Sequence, residues 1–460
     1  MSRARVFRVV ATGARVAVGA AVAVACVAGV VVAVHAPWPQ FAHAPAQVEV
    51  APLPGDPVLV CNGDLRAIGR DSSDPLSPRS AGEMAMTMNG TGGTPEVASI
   101  AARDLIDGGD VDRLTGAVEG RTAPLIAGAE SITASSTDLA GFAALPCGES
   151  RLESWLVGGS VDTGTKDLIT LTNASAVTST VTLATFGESR SNRTVIVPAM
   201  TQTTLPLSSI AAGNTAPVVK VTADGAPVRA VLQSSYVRTL DPAGIDLQEA
   251  VAGPQQHEVI TGVQVFGGDG DNADMTVLRL LSPGADSAAV VTVRASGSTA
   301  AAEEFTVQLT ADAPAEASLS ALDPGAYTVD IQADAPVVAA VRQQDGFGAG
   351  SDFAWITPAP EIGTDVLFAV PEGPSPRLQL SNEQETDAVT TLETVDGDDT
   401  REVVVPAGGS IVIDLSADTV YRLETSDPIH GAVAISGEGA LATWALHPSA
   451  GAEKSITVYP

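Results

Sequence analysis

Apolar and polar residues alternate in short runs along most of this chain, the period that a half-buried β-strand requires. In "YTVDIQADAPVVAAV", residues 327–341, Tyr327, Val329 and Ile331 share one face and Thr328, Asp330 and Gln332 the other. The alternation meets Asp-Ala-Pro and resumes as an apolar run, which predicts a hairpin with the Asp capping its turn and the Pro starting the next strand. Nearly the same phrase recurs as "VVKVTADGAPVRAVL" from Val218 and "VYRLETSDPIHGAV" from Val420. The apolar pattern persists across the copies while polar positions drift, Arg229, Val338 and His430 being counterparts. That is the behaviour of a repeated scaffold, with function to be sought on the surfaces between copies.

Two further landmarks recur in the same order. One is an apolar strand ending in a turn, "ITLTN" (169–173), "LRLLSPG" (278–284) and "LQLSN" (378–382). The other is a β-rich run with a Pro-Ala exit, "VIVPA" (195–199) and "VVVPA" (403–407), degraded in "VQLTADAPA" (307–315). Leu171 and Pro227 lie 56 residues apart, as do Leu280 and Pro336, while Leu380 and Pro428 lie 48 apart. Copies of this length are too long for propeller blades or solenoid coils and suit sandwich domains of about seven short strands. The expected fold is all-β, with tandem Ig-like β-sandwich domains at 151–255, 256–360 and 361–460 after an N-terminal transmembrane helix. Residues 51–150 read as a separate β-rich domain, although "TPEVASIAARDLIDGGDVDRL" mixes helical and loop signals.

The one long apolar run, Val16 to Val34, carries no charge over 19 residues and can span a bilayer. Arg3, Arg5, Arg8 and Arg15 precede it, so residues 1–15 are expected in the cytoplasm, 16–36 in the membrane, 37–50 as a linker and the rest outside. A cleaved secretory signal, processed at Ala44–Ala46 before Gln47, stays open as the alternative and would make the protein secreted. Ala23 replaces the Leu that a lipobox before Cys26 prefers, and Trp38 and Phe41 read as interfacial anchors. Beyond residue 44 the chain holds 20 Lys and Arg against 54 Asp and Glu, a net of −34, which repels nucleic acid. Cys61 and Cys147 are the only cysteines beyond the span, and in an oxidising compartment they are expected to form a disulfide.

The segment "LPCGESRLESWLVGGSVDTGTKDLITLTNASAVTSTVTLATFGE", residues 145–188, resembles the Cys, Trp, Val-Gly-Gly, Leu-x-Leu-x-Asn pattern of DUF5719, an uncharacterised actinobacterial family. The resemblance extends upstream through Cys61 and implies a single N-terminal span before a long exported β-rich part. It implies no activity.

Candidate chemistry is sparse. His257, His430 and His447 are the only histidines beyond the membrane-flanking His35 and His43, and no GxSxG, SxxK, HExxH or CxxC occurs. His430 reads as an outward strand residue. "GGDGDNAD" offers Asp269, Asp271 and Asp274 as weak calcium candidates without EF-hand spacing, and "VDGDDT" (395–400) is similar, hairpin tips being the competing reading. Glu303-Glu304 and Asp398-Asp399 are adjacent on strands and so diverge, unlike a glycosidase pair. Trp355 and Trp444 close the second and third copies and Trp155 opens the first, which leaves few aromatics free and disfavours a sugar platform. No catalytic or cofactor residue is assigned. The expected function is a non-catalytic, membrane-anchored scaffold or binding module for an envelope protein or cell-wall polymer. The alternative is a glycan-active envelope enzyme or accessory subunit with an interdomain site.

The anchor reading predicts that the protein sediments with membranes and keeps its N-terminus. Recovery from the medium of a chain beginning near Gln47 contradicts it.

Overall fold

The computed structural model describes residues 3–35, 48–50, 54–267, 275–397, 399–449 and 456–458. It divides into two units, residues 1–52 with 454–460, and residues 53–453. The first unit holds a helix, Arg3–His35, of which Gly13–His35 is long and apolar enough to cross a membrane. It also holds a two-stranded ladder in which Val48–Val50 pairs antiparallel with Ile456–Val458. Residues 456–458, expected within the third repeat, instead satisfy the backbone groups of a strand in the expected linker, where a lone strand has none to pair with.

Among its described residues the second unit is all-β apart from a one-turn helix, Ser208–Ala211. Three sandwiches share one strand order. In the first, Glu153–Leu156, Val218–Asp224, Ser179–Phe186 and Ser191–Val197 form one sheet. Thr201–Pro206, Leu168–Asn173, Arg229–Arg238 and Asp241–Glu249 form the other. The third sandwich repeats this from Val366–Val370 to Ala440–Ala445. Each pair of sheets encloses its own apolar core, Leu171, Val181 and Val221 in the first and Leu380, Leu392 and Leu423 in the third.

The recurring phrase is not a hairpin. Its two halves belong to opposite sheets and never pair with each other. In the second sandwich they fuse into one strand, Gly325–Gln344. The first half pairs with Gln255–Val265 and Ser287–Ala295, the second with Thr276–Leu281 and Phe353–Ile356. No residue from 333 to 336 has positive φ, so the backbone stays extended through Pro336. A proline is tolerated there because the strand is leaving one ladder for the other. Tyr327, Val329 and Ile331 do point into the core. Thr328 and Asp330 point outward yet are buried, because the third sandwich covers that face: Gln379 Nε2 donates to the Tyr327 carbonyl at 3.0 Å.

The N-terminal β part, residues 54–148, makes strands of Glu96–Ile100 and Val111–Thr115, where helical signals were mixed in. A disulfide joins Cys61 to Cys147 beside the Val60–Gly148 bridge. Its strand Ala140–Pro146 is buried on both faces. Phe142 and Ala144 enter the core of the third sandwich, while Ala143 and Leu145 pack on Val231, Ile245 and Leu247 of the first.

One carboxylate ties all four parts together. Asp352, of the second sandwich, is fully buried. Its oxygens accept the backbone N–H of Phe142 at 2.8 Å, Ile245 at 3.0 Å and Leu441 at 2.9 Å, from the N-terminal part, the first sandwich and the third. Burial pushes its pKa well above the ordinary value, and the amides pull the other way. Room for it comes from two glycines with positive φ: a Cβ on Gly141 or Gly244 would stand 2.6 or 2.9 Å from Asp352 Oδ1. Replacing Asp352 by Asn turns an amide donor toward N–H groups that need acceptors, so urea denaturation should show a loss of about 1–3 kcal/mol.

Candidate functional site

The seams between sandwiches are built from residues that point away from their own cores. In the strand motif the second position is Thr170, Arg279 and Gln379 in the three copies. All three are buried, and Arg279 and Gln379 reach a neighbouring sandwich. The drifting position after the phrase's proline behaves likewise. Arg229 donates to the Pro146 carbonyl of the N-terminal part, Val338 joins the apolar layer between first and second sandwiches, and His430 contacts the Ala359 carbonyl. His430 is outward as expected, but it is mostly buried rather than solvated. The Asn that ends the motif is structural. Asn173 and Asn382 each accept from a backbone N–H two residues on at 2.9 Å and donate to the carbonyls of Val197 and Val405.

Between the first and second sandwiches lies a cleft of about 270 Å³. The loop Ser160–Thr165 forms one wall, and Arg279, Arg342 and Phe347 contribute to the other. Tyr236 and Arg238 lie where the strand Arg229–Arg238 ends. The loop is held by Asp167, whose carboxylate accepts the Ser160 N–H at 2.7 Å and the Ser234 hydroxyl at 2.9 Å. Gly164 takes φ +96°, and any Cβ there would meet the Val237 carbonyl at 2.4 Å.

Arg279 forms the floor. Its Nη1 donates to the carbonyls of Val157, Gly159 and Pro217 at 3.2, 2.8 and 3.2 Å. Its Nε and Nη2 reach Glu316 Oε1 at 2.9 and 2.8 Å, and the guanidinium lies 4.7 Å over Trp355. Burial lowers its pKa and Glu316 opposes that. Arg238 stacks over Phe347 at 4.8 Å and Tyr236 at 5.6 Å, and Arg342 Nη1 lies 3.3 Å from the Tyr236 hydroxyl. Three guanidiniums thus gather at one cleft of a chain whose net charge is −30. Among the described residues no His or Cys lines it, and Ser160 Oγ donates to Asp162 Oδ2 at 3.0 Å.

Sequence reasoning missed this cleft, because its arginines lie far apart in the chain and only the packing of two copies joins them. The calcium candidates Asp269, Asp271 and Asp274 lie outside the described residues, as do Asp398, Trp38 and Phe41. Trp155, Trp355 and Trp444 are all buried. Among the described residues two groups of metal-ligating side chains come together. In Cys61, Glu130 and Cys147 the sulfurs are consumed by the disulfide, and His257, Asp330 and Glu383 meet at the other seam.

Residues 101–416 match DUF5719, a family of unknown function. No curated protein matches the chain. Among solved structures, that of Thermotoga maritima 1070 is similar at 14% identity and a TM-score of 0.21, covering 22% of this chain and 94% of its own. The FN1–FN3 domains of chicken CNTN1 are similar at 12% identity and a TM-score of 0.10, covering 64% of this chain and 98% of theirs.

The seam beside the cleft carries a pH dependence. Burial raises Asp167 to about 7 and Asp246, which accepts the Trp355 N–H at 2.8 Å, to about 8. The folded chain therefore keeps protons that the unfolded chain releases near pH 4. This stability is fully present below about pH 4 and is lost as pH rises through 7 to 8. The melting temperature should fall between pH 5 and pH 8.5, and Asp246→Asn should flatten that fall by stabilising the protein on the alkaline side.

Proposed function

The chain belongs to the DUF5719 family, whose function is unknown, and from that premise we propose that it is a non-catalytic, membrane-anchored scaffold of the cell envelope. In this reading the helix Arg3–His35 anchors the chain with its N-terminus in the cytoplasm. The sandwiches lie outside and bind an envelope polymer or protein through its phosphate or carboxylate groups. The observation that carries the reading is the cleft of Arg238, Arg279 and Arg342 in a strongly acidic chain. With Asp162 and Glu316 beside the three arginines the lining keeps a small positive excess, which draws an anion, while the surrounding charge repels nucleic acid. The buried tryptophans leave no stacking platform for a sugar, which favours recognition through charge.

The test is cross-linking in the native envelope, with a photoreactive residue replacing the exposed Thr163 at the cleft wall. The expected result is a defined adduct, identified by mass spectrometry, that disappears in Arg238→Glu. An adduct indifferent to Arg238→Glu, or none above background, overturns the reading.

A further inference from the structure

At the seam between the second and third sandwiches, four side chains converge. His257 stands on Gln255–Val265 and Asp330 on the neighbouring strand Gly325–Gln344. Glu383 follows Arg377–Ser381, and His430 opens the neighbouring strand His430–Gly437. His257 Nε2 lies 3.0 Å from Asp330 Oδ1 and 3.1 Å from Glu383 Oε2, and His430 Nε2 lies 3.9 Å from that same Glu383 oxygen. The His257, Asp330 and Glu383 ligand atoms all fall within 4.8 Å of one another. Asp330 is 8% exposed, His430 13% and Glu383 20%, whereas His257 is 48% exposed and forms the outer side.

As ion pairs alone these groups are poorly matched. His257 Nε2 carries at most one proton and faces two carboxylates. His430 Nδ1 lies 2.8 Å from the Ala359 carbonyl, to which it donates, so in the neutral ring Nε2 presents a lone pair toward Glu383 rather than a proton. A cation among His257, Asp330 and Glu383 resolves the first conflict. A tetrahedral ion with bonds of about 2.0–2.2 Å to nitrogen and oxygen sets its ligands about 3.3–3.6 Å apart. His257 Nε2 stands 3.0 and 3.1 Å from the two carboxylate oxygens, while His430 stands outside the group of three, beside Glu383.

The supporting contacts are those a metal site needs. The Ala359 carbonyl fixes the His430 tautomer, Arg294 Nη1 holds the second Asp330 oxygen at 3.3 Å, and the Asn382 turn orients Glu383. The geometry points to a divalent-metal site formed by His257, Asp330 and Glu383, with His430 beside Glu383, which takes Zn²⁺ and clamps the second sandwich to the third. An imidazole with two carboxylates and one open position suits Zn²⁺, whereas Ca²⁺ takes six to eight oxygens. The site is separate from the arginine cleft and does not rest on what that cleft binds.

The test uses the full chain in detergent, stripped with a chelator and titrated with ZnCl₂ by calorimetry, with Co²⁺ absorption as a readout of coordination. Wild type should bind Zn²⁺ saturably, give four-coordinate Co²⁺ bands and gain thermal stability. His257→Ala and Glu383→Gln should each weaken binding by about tenfold or more and lose the bands, while His447→Ala, outside the cluster, should retain them. His257 is half-exposed and Glu383→Gln is isosteric, so folding should survive in both, as circular dichroism will verify. Absence of saturable binding in wild type, or binding unchanged by both substitutions, overturns the proposal and leaves an ordinary ion-pair seam.

Discussion

The arrangement of the β part depends on one buried carboxylate. Asp352 accepts main-chain N–H groups from the N-terminal part, the first sandwich and the third, and it is itself held by the second. Burying a charge is costly unless its hydrogen-bonding capacity is met, and here it is met only when all four parts are in place. Four β units that would otherwise have been beads on a chain are thereby made to agree on one geometry. Glycines at 141 and 244 leave the space, and the strand Ala140–Pro146 inserts alternate residues into neighbours on either side.

From this constraint follows the chemistry of the seams. A sandwich standing alone would show solvent a polar outer face, but the outer faces at the seams are covered, and their polar positions are used to pair. Arg279 reaches into the first sandwich from the second, Gln379 into the second from the third, and Arg229 into the N-terminal part. Each copy faces a different neighbour, which is why the polar positions of the repeated phrase drift while its apolar ones persist. The arginine cleft and the histidine–carboxylate cluster are two products of that drift.

The all-β class, the apolar N-terminal helix and the Cys61–Cys147 disulfide were legible in the sequence, because alternation, an uncharged run and a lone pair of cysteines beyond that run are plain signals. The crossing at Pro336 was not. Asp-Ala-Pro is turn chemistry, and only ladder partners on opposite sheets distinguish a hairpin from a strand that changes sheets. Nor were the seams legible, since an outward Asp330 or His430 reads as solvated until the covering sandwich is placed. His430 in particular reads from its drift as an outward strand residue, and the drift reflects a change of neighbour.

Hydrogen exchange of the native full chain, resolved to peptides containing Phe142, Ile245 and Leu441, tests the shared-carboxylate account most directly. If Asp352 holds the four parts as one cooperative body, these three amides open together and exchange with a common, high protection. Three unequal protections, each matching the rest of its own sandwich, would contradict it and return the molecule to a string of independent domains.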